Sequence, residues 1–234
     1  MALFTSQQSQ LPIRCVALHM YFTMVLSLDL RLLVVLSILS LVTPLLSIPS
    51  CIEELSKSGY LQTKSIVEVM SQVNRHNYGS TLTPYGPEPI GSGQSISAFN
   101  VHAMACEALY PALVRPNDRI LDVGCGSGYL TAVFARLNPS ATVYGIDCVP
   151  ELVHLSRRNI NKEDGDLLAW NRVRLQAKDA SQGYPPGAPY DAIHVGAAAE
   201  ELPMTLFNEL KVGGIMLVPI GPHQGDQDYL KVSY

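Results

Sequence analysis

From residue 119 to residue 219 the chain alternates short apolar runs with stretches of helical rhythm. Residues 119–123 (RILDV), 142–146 (TVYGI), 173–176 (VRLQ), 190–195 (YDAIHV) and 215–219 (IMLVP) are short, mostly apolar runs and read as strands. Between them, residues 129–137, 151–161 and 203–210 read as helices. Pro150 suits the first turn of the second helix. Lys211 and the Gly213–Gly214 pair close the third. Strand–helix alternation predicts an open, mostly parallel sheet with helices on both faces. One more strand fits residues 228–234, with no return strand after it to complete an antiparallel hairpin.

Upstream, residues 50–57 and 63–73 read as short amphipathic helices joined at Gly59, with Thr63 as N-cap. Residues 78–93 (YGSTLTPYGPEPIGSG) read as a loop, long enough to be functional. A helix follows over 100–109. There is no internal repeat and no low-complexity tract.

The N-terminal pattern differs. Within residues 21–48, the 17 residues 32–48 carry no charge. That is the short end of a membrane span and longer than a signal-peptide core. Asp29 and Arg31 precede it and Pro44 interrupts it. Three readings stand: a signal peptide or anchor, an extension with no place in the mature fold, or a buried core helix. The chain therefore divides into an extension, 1–49, and a domain, 50–234. Membrane contact is expected only through residues 21–48.

Composition narrows the class. With 234 residues, 47% of them apolar, one domain with a real core fits. The net charge of -4 and the lack of a basic stripe exclude a nucleic-acid partner. Cys15, Cys51, Cys106, Cys125 and Cys148 are scattered, and the histidines lack ligand spacing, so neither a disulfide framework nor a metal site is expected. Free thiols suit a reducing compartment; a signal would route the chain to an oxidising lumen, which fits them poorly.

The chemistry concentrates in Asp122-Val123-Gly124-Cys125-Gly126-Ser127-Gly128. In a doubly wound sheet the first strand–helix turn cradles the ligand. The spacing is GxGxG, not the GxGxxG of dinucleotide binders. Gly124 suits a tight turn, Gly126 a close approach to ligand, and Gly128 close packing of helix on strand. Asp147 ends the second strand, 23 residues after Gly124. A carboxylate there accepts from two ribose hydroxyls, or caps the next helix. Asp122 would repel a pyrophosphate and suits a cationic group. S-adenosyl-L-methionine has an ammonium, a sulfonium, a ribose and an adenine, and no phosphate. The turn is expected to hold it.

The stretches GQSISAFNVHAMACEAL (93–109), LDVGCGSGYLTA, GIDCVPELV, APYDAIHVGAAAEELP (188–203) and GGIMLVPIGP (213–222) together resemble the protein-L-isoaspartate (D-aspartate) O-methyltransferase family. The resemblance spans roughly three quarters of the chain. It implies a Rossmann-like class I methyltransferase fold, shortened at the C-terminus. It implies methyl transfer from S-adenosyl-L-methionine to the free carboxylate of isoaspartyl residues in damaged proteins, by a monomer in the cytoplasm. Ser97 matches the family's active-site serine. Ser95, Ile96 and His102 fall in the same strip. Asp122, Gly124, Gly126 and Gly128 match the cofactor turn, and Asp147 with Cys148 the ribose-binding position. Asp179 and Ala180 match the acidic position near the adenine. His194, inside a strand, is expected to be structural.

Three features depart from the pattern. Phe99 follows Ala98 where the family has proline. Lys178-Asp179-Ala180-Ser181 replaces GDGR. The family pattern also continues past Tyr234, which would leave an exposed edge strand here. Two other readings stay open at this point: a methyltransferase with a different acceptor, and an inactive homologue tethered through residues 21–48.

Overall fold

The computed structural model describes residues 47–79, 86–222 and 226–234. Most of the N-terminal apolar segment and part of the 78–93 stretch lie outside the described residues. No helix among the described residues is long and apolar enough to cross a membrane.

Helix α1 (Ile48–Lys57) is capped by Ser47, whose side chain accepts from the Ser50 N–H. Ile48, Cys51, Ile52 and Leu55 recur at helical spacing and are buried, so Ile48 belongs to the domain core rather than to the extension. Gly59, at φ +79°, turns the chain toward α2 (Lys64–Gln72). Thr63 precedes α2 but makes no side-chain cap bond to it. Its N–H and hydroxyl, and the Gln62 N–H, donate instead to Glu107 at 2.7–2.8 Å. Glu107 stands on α3 (Phe99–Leu109), so an acid of a different helix anchors the two residues that lead into α2.

The 78–93 stretch is not all loop. It ends in an antiparallel hairpin, β1 (Glu88–Gly91) with β2 (Gln94–Ile96). The connecting residues Ser92 and Gly93 both have positive φ, 53° and 71°. That is the primed two-residue turn whose twist matches paired strands.

The main sheet contains β3 (Arg119–Val123), β4 (Thr142–Asp147), β5 (Val173–Ala177), β6 (Tyr190–Val195), β7 (Leu210–Ile220) and β8 (Asp228–Ser233), in the order β5-β4-β3-β6-β7-β8. All pairs are parallel except β7 with β8. Helix α4 (Tyr129–Leu137) follows β3, and α5 (Pro150–Glu163) and α6 (Gly165–Ala169) follow β4. The strand order reverses between β3 and β6, where ligands bind in open α/β sheets.

Side chains alternate across the sheet. Ile120, Val143, Ala192 and Leu217 join the core formed with α1 to α4. Leu121, Tyr144, Ile193 and Met216 face the other side, with Tyr184, Tyr190 and Leu206. The second face is covered by α7 (Met204–Phe207) and two single-turn 3-10 helices, Ala180–Gln182 and Pro185–Gly187.

The helix expected at 203–210 shrinks to the four residues of α7, and the Gly213–Gly214 pair is not its stop. Leu210 already pairs with Tyr190, and the register then slips before Ala192 pairs with Ile215. Gly213 has φ +77°, and a Cβ on Gly214 would sit 2.8 Å from the Lys211 carbonyl. The pair makes a bulge inside a long strand. The strand over 228–234 returns on β7, with Tyr229 opposite Pro219, so β7 and β8 form the antiparallel hairpin for which the sequence offered no return strand.

Candidate active site

The glycine turn is held by main-chain bonds. The Gly124 and Cys125 N–H groups both donate to the Ile146 carbonyl, at 2.8 and 3.0 Å. The Gly126 N–H donates to Asp147 Oδ2 at 3.0 Å, and the Val149 N–H to Oδ1 at 3.0 Å. Val149 is the N-cap of α5. Asp147 therefore braces the turn and caps the next helix while remaining in the cleft wall. The Ser156 hydroxyl, from α5, donates to the Gly126 carbonyl at 2.8 Å.

Gly126 and Gly128 have φ +52° and +87°, which disfavour any side chain. A Cβ on Gly126 would lie 3.3 Å from Ile90 Cδ1, so the β1–β2 hairpin closes over the turn. A Cβ on Gly128 would lie 3.1 Å from Ser156 Cβ. Gly128 thus packs the start of α4 onto α5, not onto β3 as the sequence led us to expect.

Asp122 is 1% exposed. Its Oδ2 accepts from the Thr131 hydroxyl at 2.5 Å, and Oδ1 lies 2.8 Å from His194 Nδ1. Asp122 and His194 are register partners on β3 and β6, at the reversal of strand order. His194 is therefore part of the site wall and not merely a strand residue.

Ser95 and Ile96 close β2, and Ser97 lies just before α3. Phe99, in place of the family's proline, is fully buried as the first residue of α3. Its ring lies 5.2 Å from the Arg75 guanidinium carbon. Arg75 is itself only 3% exposed. It donates to the Ser97 carbonyl at 2.6 Å and to His102 Nδ1 at 2.8 Å. A guanidinium only donates, so the neutral His102 ring carries its proton on Nε2. Burial holds His102 well below the usual histidine range, and the Arg75 charge and His194 add to this. Nothing in the sequence marked Arg75: it lies 22 residues from Ser97 and belongs to no motif.

Asp179 is exposed and accepts the Ser181 N–H at 2.9 Å. That bond holds its carboxyl below the usual range. The missing glycines of the family's GDGR are replaced by a single 3-10 turn, Ala180–Gln182, which Asp179 caps.

Three adjoining cavities open at the carboxyl end of the sheet. The largest, about 500 Å³, is lined by Ser95, Gly124, Gly126, Asp147, Cys148, Asp179 and Ala180 among others. A second, about 310 Å³, is lined by Ser97, Val101, His102, Met104, His194 and Tyr229 among others. Between them lies a neck of about 50 Å³. The neck shares Ser95, Gly124 and Gly126 with the first and Ser97, His102 and His194 with the second. Ile96 and Asp122 also line it, as does Tyr129, whose buried hydroxyl has no hydrogen-bond partner among the described residues. Of the residues singled out from sequence, Gly128 alone lines none of the three. Thr131, Tyr129 and Tyr229 escaped notice because each sits at an ordinary apolar or edge position of its element.

The sequence model of the family described as protein-L-isoaspartate (D-aspartate) O-methyltransferase matches residues 48–233. A protein-L-isoaspartate O-methyltransferase of Triticum aestivum is 41% identical over 187 residues, covering 78% of this chain and 81% of the relative. One of Ignicoccus hospitalis is 40% identical, over 77% of this chain and 85% of the relative. Among solved structures, a Plasmodium falciparum protein of the same description, in complex with S-adenosyl-L-homocysteine, is 31% identical with a TM-score of 0.72, over 79% of this chain and 88% of that one. The resemblance carried by the short motifs thus extends across the whole described domain, and the chain belongs to the protein-L-isoaspartate (D-aspartate) O-methyltransferase family.

Proposed function

We propose that this chain carries out the reaction of its family, moving a methyl group from S-adenosyl-L-methionine to the free carboxylate of isoaspartyl, and D-aspartyl, residues in damaged proteins. The observation that carries this reading is the neck. A methyl donor and an acceptor must meet in line across a short distance, and a narrow passage between a large and a smaller cavity imposes that geometry. S-adenosyl-L-methionine supplies an electrophilic methyl on a sulfonium. The large cavity fits such a group: beside Lys178 it offers the Asp147 and Asp179 carboxylates, which can accept from hydroxyls, and Asp122 stands at the neck, where a carboxylate suits a cation.

The acceptor requires no strong base. A substrate carboxylate is already ionised at pH 7. Ser97, between neck and acceptor cavity, orients it by hydrogen bond. The buried Arg75 guanidinium behind Ser97 and His102 holds the Ser97 carbonyl and His102 Nδ1 in place on this side of the site. Bound donor and acceptor together would exclude water from the narrow neck during transfer. A reducing, cytoplasmic location is part of the proposal, supported by Cys51, Cys106, Cys125 and Cys148, all free thiols. So is action as a monomer, on the family's pattern.

The test uses the full chain, radiolabelled S-adenosyl-L-methionine and two peptides that differ only in isoaspartate against aspartate. Base-labile label on the isoaspartyl peptide alone is expected. Equal labelling of both peptides, or of neither, would overturn the proposal.

A further inference from the structure

Tyr229 lies on the edge strand β8, yet it reaches the centre of the sheet. Its hydroxyl is 3.0 Å from His194 Nε2. His194 Nδ1 is in turn 2.8 Å from Asp122 Oδ1. A carboxylate only accepts, so Nδ1 carries a proton, and in the neutral ring Nε2 is then an acceptor. Burial, and after it the Asp122 charge, pushes the Tyr229 hydroxyl well above its ordinary range, so it stays protonated and donates. The chain of donors runs from Tyr229 through His194 to Asp122. The other Asp122 oxygen is held by Thr131, from α4. The Phe134 ring, also from α4, sits edge-on to the His194 ring at 5.9 Å and limits its rotation.

We propose that Tyr229 is a positioning residue: acting through His194, it fixes the Asp122 carboxylate at the neck and so tightens cofactor binding. The inference rests on the reading of the neck as the place where donor meets acceptor. The geometry favours this role over direct contact with the acceptor, because the hydroxyl is already committed to Nε2. It also gives an edge strand a route to the turn after β3: β7 and β6 lie between β8 and β3, and the His194 imidazole on β6 links Tyr229 to Asp122.

The experiment compares the full chain with its Tyr229→Phe variant, which removes one oxygen from a part-buried ring. Equilibrium binding of S-adenosyl-L-methionine is measured beside KM for the isoaspartyl peptide and kcat. Cofactor affinity should fall roughly three- to tenfold, as expected for one lost hydrogen bond, with the peptide KM unmoved. A shift in the peptide KM alone, or no shift in either, overturns the relay. The same substitution is then made in a His194→Leu background. There it should have no further effect, since the intermediary is gone; an undiminished effect would show that Tyr229 acts by another route. If His194→Leu does not fold, the single substitution still decides between cofactor and peptide. Failure of the unaltered chain to bind S-adenosyl-L-methionine would count against the functional reading, not against the relay.

Discussion

The two halves of the sheet build their share of the site by different means. On the β3–β4 side the turn is fixed by main-chain donors to Ile146 and by Asp147, all within about 25 residues of one another. On the β6–β8 side and along α3, the wall is assembled from side chains far apart in sequence: Arg75 with His102, 27 residues away, His194 with Asp122, 72 away, and Tyr229 with His194, 35 away. The first half is a rigid local motif. The second depends on the fold around it, because its partners are brought together only when the strands and α3 have packed.

The largest expected break of this contrast is Asp147→Ala. It removes the acceptor for two backbone N–H groups as well as the cleft carboxylate. Cofactor affinity should fall by about a hundredfold or more, given ~1.5–3 kcal/mol for each hydrogen bond to a charged group. Equilibrium binding of S-adenosyl-L-methionine checks this; an unchanged dissociation constant would sink the cofactor assignment. Gly128→Ala should come next. The residue would be forced to φ +87° with its Cβ 3.1 Å from Ser156, costing about 2 kcal/mol or more in denaturant unfolding. Because Gly128 lines no cavity, the activity of the folded fraction should be largely preserved.

On the other side, Arg75→Lys keeps the charge but loses the fork that reaches Ser97 and His102 together. The peptide kcat/KM should drop about tenfold while cofactor binding holds. Equal losses in both would mean that the two halves are not separable in the way described. The smallest effect concerns acidity. His102 is buried and neutral, with its pKa held below the unfolded value of about 6.5. Between these two values the unfolded chain binds one more proton than the folded one, so stability falls as pH drops below about 6.5. His102→Gln should flatten that decline by up to about 1.4 kcal/mol per pH unit, measured by denaturation between pH 5 and 7.

Legibility in the sequence followed the same division. β3, α4 and β6 begin and end where the pattern placed them, because each is a short buried element bounded by strong breakers. The cofactor turn was readable because its glycines, its acid and its strand are contiguous. Arg75 and Tyr229 were not, since a pairing of one residue with another 22 to 35 positions away leaves no local trace; Thr131, only nine residues from Asp122, was hidden because it sits at an ordinary buried helix position. The segment 203–214 was misread for a different reason. A Gly pair after an apolar stretch signals a helix stop, but the exposed backbone here had a neighbouring strand to join, and pairing across a bulge won over local propensity.

Cys148 adds a practical consequence. It is exposed in the wall of the large cleft, whereas Cys51, Cys106 and Cys125 are buried. Burial also pushes those three thiols up, which keeps them protonated and slow toward alkylating reagents. Among the described cysteines, labelling is thus directed to a single point at the mouth of the cofactor cleft. A small fluorophore placed there would report filling and emptying of that cleft in real time.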